Sequence, residues 1–100
     1  MQAKAARMIE IDRIGEDDPL AFAVTVRDAA SETHHHVTLA RADARRLAER
    51  HLPEQCIEAA FRFLLDHEPK EAILQHFDIS VIARYFPQFE RELPAYLAQL

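Results

Sequence analysis

The chain has 100 residues, 49% of them hydrophobic and 29% charged, the size and composition of one folded domain rather than a disordered tract. Its 12 basic and 17 acidic side chains leave a formal charge of −5, which argues against the broad positive field that sequence-independent nucleic-acid binding needs. The single cysteine, Cys56, excludes an intramolecular disulfide framework, and no apolar run approaches the roughly 18 residues of a spanning helix, so no membrane partner is expected.

Residues 1–7 are basic with no apolar stretch behind them, so they read as a disordered start rather than a signal peptide. From Met8 to Ile14, Ile9 and Ile11 alternate with Glu10 and Asp12, the period of a half-buried strand. Gly15 to Pro19 supplies the only glycine, an acidic cluster and a proline, which make a turn. A second alternation follows over Phe22–Asp28, with Phe22, Val24 and Val26 on one face. A third runs over Thr33–Leu39, where His35, Val37 and Leu39 oppose His34, His36 and Thr38. Three short strands with short links predict an antiparallel meander over 8–39.

Helical spacing takes over in 40–100. Ala40, Ala44, Leu47, Ala48 and His51 fall on one face, with Arg41, Arg45, Arg46 and Arg50 around the others. Pro53 suits the first turn of a next helix, in which Cys56, Ile57, Ala60, Phe61, Phe63, Leu64 and Leu65 cover more than one face. That helix is expected to be the central one. The step His67-Glu68-Pro69 restarts the chain as a helix with Ile73, Leu74 and Phe77 inward. Asp78 or Ser80 caps a further short helix holding Val81, Ile82, Tyr85 and Phe86. Pro87 and Pro94 limit the tail to short pieces. The expectation is one α+β domain: a three-stranded meander, then about four short helices packed on one sheet face, with the other face wet.

Four groups of residues invite a chemical reading. In a strand His34 and His36 project to the same side, and such a pair can chelate zinc, with a third ligand from Glu10 or Asp12 if the strands pair suitably. The plainer reading is two exposed imidazoles with His35 packed at the core edge. Arg41, Arg45, Arg46 and Arg50 on one helix could hold an anion or an acidic partner, although Asp43 and Glu49 among them favour a solvated face with local ion pairs. Ala72–Phe86 has the rhythm of a helix-turn-helix, which would make a DNA-binding regulator offering Arg84 and Tyr85. Glu68, Glu71, Glu90 and Glu92 are acid/base candidates with no nucleophile fixed beside them.

The segments Thr33-His-His-His-Val-Thr-Leu39, Glu68-Pro-Lys-Glu71, Phe77-Asp-Ile79 and Arg84-Tyr-Phe-Pro-Gln-Phe-Glu90 resemble a family of small uncharacterised bacterial proteins, over about residues 33–93. The resemblance implies a bacterial cytosolic protein and carries no site or activity with it. The functional expectation is a small cytoplasmic binding or protein-interaction module without catalytic activity or cofactor. Its expected partner is another protein or a second copy in a homodimer, met through the wet sheet face or an edge strand. A metal-binding protein and a DNA-binding regulator are the alternatives.

Overall fold

The computed structural model describes residues 7–100. The disorder expected for residues 1–7 falls outside these, apart from Arg7, whose guanidinium donates to the Leu65 carbonyl at 3.1 Å.

The three predicted strands are present as β1 (Met8–Gly15), β2 (Leu20–Arg27) and β3 (Glu32–Leu39). They pair antiparallel in sequence order, with Ile11 opposite Val24 and Val24 opposite His35. One face sends Leu20, Phe22, Val24, Val26, Val37 and Leu39 into the core, and the other carries the polar alternates. The only glycine has a packing reason. Gly15 lies at a β-bulge, and a Cβ there would come within 3.1 Å of the Ala21 side chain.

Helix α1 (Arg41–Leu47) is shorter than its expected run to His51. Ala48 leaves helical geometry and is buried in the core, so Arg50 lies beyond the helix instead of beside its neighbours. Helix α2 (Pro53–His67) is the central helix the sequence predicts, begun by its proline and by Gln55, whose side-chain oxygen accepts the Leu52 N–H at 2.8 Å. Eight of its residues are buried against the sheet and the other helices. Arg13 on β1 grips Glu54 in the first turn of α2 with two hydrogen bonds of 2.7 and 2.8 Å. This contact holds the Glu54 carboxyl below its ordinary value.

The segment after α2 corrects the sequence reading. Instead of a helix with Ile73, Leu74 and Phe77 inward, Lys70–Ala72 form one 3₁₀ turn and the chain then extends into a short strand, β4 (His76–Asp78). β4 lies parallel to β3, giving the sheet order β1-β2-β3-β4. The cause is tertiary. The His36 N–H donates to the Gln75 carbonyl at 2.6 Å, and the buried His35 imidazole takes the Leu74 carbonyl at 2.7 Å. The backbone groups a helix would satisfy internally are therefore satisfied by the edge of β3. Leu74 points out, 49% exposed.

Asp78 then caps as expected, accepting the Ser80 N–H at 3.0 Å. A 3₁₀ turn over Ile79–Val81 leads into the single-turn helix α3 (Ile82–Tyr85), and α4 (Phe89–Leu97) runs through Pro94 to pack on α2. The helix-turn-helix rhythm of Ala72–Phe86 thus becomes a 3₁₀ turn, a strand and one short helical stretch. The pair of helices that would read a DNA groove is not formed there.

A charge cluster fixes the new segment to the β2–β3 turn. Lys70, 7% exposed, donates to Asp28 and to Glu71, each at 2.7 Å. Asp28 also accepts the Ala30 and Ser31 N–H groups, so its carboxyl is lowered to about 2, with the Lys70 hydrogen bond the largest cause. The unfolded carboxyl titrates near 3.9. The Asp28 contribution to stability is therefore full above about pH 4 and is lost as pH falls toward 2. Asp28→Asn is expected to unfold at lower urea than wild type at pH 6, with the difference vanishing near pH 2. A difference that survives at pH 2 would assign the effect to the shape of the turn instead of its charge.

Candidate functional site

The open sheet face, the surface expected to meet a partner, has most of its charge neutralised internally. Arg27 donates to Glu10 on β1 and to Glu32 on β3, both at 2.9 Å. Glu32 also lies 2.9 Å from His34 Nε2, whose Nδ1 is 3.3 Å from the Thr25 hydroxyl. His36 faces a different imidazole, that of His76 on β4, with ring centroids 5.5 Å apart.

The third metal ligand imagined on Glu10 or Asp12 is not brought near. β1 pairs with β2, so a whole strand separates it from the histidines, about 9–10 Å at ordinary strand spacing. Among the described residues no group of three or more His, Cys, Asp or Glu converges as a metal site would require.

A second copy adding to the free edge of β1 meets a charge obstacle. Antiparallel pairing that keeps the faces aligned and is centred on Glu10, Ile11 or Asp12 sets acid opposite acid: Glu10 on itself, Glu10 on Asp12, or Asp12 on itself. Like charges directly opposite are destabilising, and an edge so marked resists sheet extension.

Two of the four arginines, Arg41 and Arg46, are likewise engaged within the molecule. Arg46 clasps Glu90 on α4 through both terminal nitrogens, at 2.7 and 3.2 Å, and also touches Asp43. The guanidinium is accordingly raised and Glu90 lowered. The Arg41 N–H donates to Asp18, and its side chain donates to the Glu16 carbonyl. Arg45 and Arg41 line a shallow hollow of about 150 Å³, which also contains Glu49. Of the acid/base candidates, Glu71 is held by Lys70 and Glu90 by Arg46. Cys56 is a buried thiol whose surroundings push it up to about 11, an unreactive environment.

The concave surface lies elsewhere. A cleft of about 370 Å³ opens between the C-terminal end of α2, the extended stretch before β4, and α3. Leu64, Ile73 and Ile82 form its buried floor, Phe77 and Phe86 its half-buried walls, and Leu74 and Tyr85 its rim. Tyr85 is 68% exposed. Of the six large hydrophobic residues described as exposed, Leu74 and Tyr85 belong to the cleft, while Met8, Ile14, Leu52 and Leu100 lie on other segments.

One carboxylate lines this apolar space, that of Glu68, the residue capping α2. Its backbone N–H closes the helix on Leu64, but among the described residues its carboxylate has no hydrogen-bond or ion-pair partner. Burial pushes Glu68 above its ordinary value, opposed by the neighbouring His67.

The sequence reading named Glu68 without a setting and placed Leu74 inward, so it missed the cleft. No local signal marked the strand, because Leu74 and Phe77 lie three residues apart, the spacing of a helix. No protein-family model, no curated protein and no solved structure matches this chain, so the cleft has to be interpreted from its own residues.

Proposed function

We propose that this domain is a small cytoplasmic binding module without catalytic activity, and that the cleft beside Glu68 is its recognition site. The observation that carries the reading is the pairing of an apolar hollow with an exposed apolar rim, Leu74 and Tyr85. At about 370 Å³ the hollow falls within the range of small-ligand sites. Its lining offers one carboxylate and one phenol and lacks the paired nucleophile and base of an acyl- or phosphoryl-transfer centre. The buried reduced thiol of Cys56 suits a cytoplasmic setting.

The reading is tested by titrating the full chain with a neutral apolar probe, 3-phenylpropan-1-ol, while following backbone amide resonances. Shifts are expected at Leu74, Phe77, Val81 and Tyr85, and they should disappear in Leu74→Asp, where a charge on the rim meets the probe. Shifts centred on the open sheet face, or no shifts, would refute the assignment of the cleft. Turnover of any substrate that Glu68→Gln abolishes would refute the non-catalytic part.

A further inference from the structure

Resting on that reading, we infer that the ligand of the cleft is a small organic ammonium ion, a protonated amine carried on an aliphatic or aromatic body.

Three features of the cleft share one electrostatic sign. Among the described residues the Glu68 carboxylate is unpaired at its wall, whereas most other acidic groups have found a cation: Glu10 and Glu32 have Arg27, Glu54 has Arg13, Glu90 has Arg46, and Asp28 has Lys70. The cleft also lies where α2 ends, and the last carbonyls of a helix carry the negative end of its dipole. Arg7, a cation that reaches that terminus, is taken by the Leu65 carbonyl and Asp66, and Lys70 by Asp28 and Glu71. Finally, the rim carries the aromatic ring of Tyr85, and the face of such a ring attracts cations through its quadrupole. A neutral apolar guest would leave the Glu68 carboxylate partly desolvated with no compensation. A carboxylate guest would add repulsion. An ammonium group with an apolar body satisfies the wall and the floor together.

Size separates a small molecule from a protein segment. A stable protein interface covers about 800 Å² on each partner around an apolar core. Here two large apolar side chains, Leu74 and Tyr85, stand exposed at the site, which matches the mouth of a 370 Å³ hollow better than the centre of an interface.

The test compares 3-phenylpropylammonium with its neutral counterpart 3-phenylpropan-1-ol, and with an acetylated and amidated Leu-Lys-Leu tripeptide, by amide-resonance titration of the full chain at pH 7. The ammonium ion should bind about five-fold more tightly than the alcohol, the sum expected of a half-exposed ion pair and one cation–π contact. That preference should vanish in Glu68→Gln and weaken in Tyr85→Leu. Among the described residues neither side chain has a hydrogen-bond partner, and circular dichroism of both variants checks the fold. Equal affinity for amine and alcohol, or a preference that persists in Glu68→Gln, would overturn the ammonium assignment while leaving the cleft as a binding site. A tripeptide that binds more tightly than the free amine would overturn the small-molecule assignment in favour of a lysine-bearing protein segment. Silence from all three probes would remove the cleft reading itself.

Discussion

Phe63→Ala is expected to destabilise the domain by about 3–5 kcal/mol, the range for emptying a fully buried aromatic site. Phe63 is fully buried on α2, and its ring contacts four others: His67 at 4.3 Å between centroids, Phe89 at 5.1 Å, and Phe86 and Tyr96 each at 5.7 Å. Three of these partners meet it edge-on or nearly so, the arrangement that ring quadrupoles favour. The site is poorly able to collapse after truncation, because its neighbours come from α2, α4 and the segment after α3. Natural domains hold about 5–15 kcal/mol in total, so the variant would lose about a fifth or more of its margin and fall in Tm by on the order of 20 °C. Urea unfolding followed by far-ultraviolet circular dichroism measures the loss. Phe63→Leu should cost only about 1–2 kcal/mol, since most of the volume remains. A loss below about 1 kcal/mol for Phe63→Ala would mean that the aromatic cluster does not organise the helical half as described.

How much of this molecule could be read from its residues depends on the range of the deciding contact. The strands β1 to β3 are legible because alternation is a local property, and Phe22, Val24 and Val26 declare their face without reference to anything distant. Helix α2 is legible for the same reason, with Pro53 marking its start and an apolar surface too wide for an exposed helix. β4 is not, because Ile73, Leu74 and Phe77 fit helical spacing and only remote partners overrule it. The Leu74 carbonyl is claimed by His35, 39 residues away in sequence.

The candidate sites follow the same division. The histidine and arginine clusters are visible as clusters, but their partners are remote: Arg46 is matched to Glu90 across 44 residues. The cleft could not be read at all, since it is assembled from the end of α2, an unpredicted extended stretch and α3. Its chemical character rests on Glu68 having no partner, a property that belongs to the folded state alone.

His35 joins the core, the fourth strand and the cleft, and its replacement should be felt in all three. The imidazole is 4% exposed, set edge-on to Phe61 at 5.4 Å, with Nδ1 2.7 Å from the Leu74 carbonyl and Nε2 2.8 Å from the Thr33 hydroxyl. A carbonyl can only accept, so Nδ1 carries the proton and Nε2 accepts from Thr33, which is one neutral tautomer with both nitrogens satisfied. Burial holds His35 below its ordinary value, with the Leu74 contact opposing and His34 adding slightly.

The sign of the pH effect follows from that shift. An unfolded histidine takes its proton near pH 6.5, whereas the folded one resists until lower pH. The fold therefore has its full His35 stability above about pH 6.5 and loses it as pH falls, at up to about 1.4 kcal/mol per pH unit, until the folded group also titrates. His35→Phe keeps an aromatic ring at the site but orphans the Leu74 carbonyl, so it should be less stable than wild type by about 1–3 kcal/mol at pH 8. Having no proton to refuse, the variant should also lose stability more slowly on acidification, and the gap should narrow between pH 7 and pH 5. Asp28 titrates too low to produce that narrowing, because its window lies below about pH 4. A gap that stays constant over this range would show that His35 is not held neutral by the fold. Because the Leu74–His35 bond also anchors the stretch that walls the cleft, the same variant should bind 3-phenylpropan-1-ol more weakly at pH 8. Unchanged binding would mean that Leu74 and Phe77 are positioned by the floor of the cleft rather than by the strand edge.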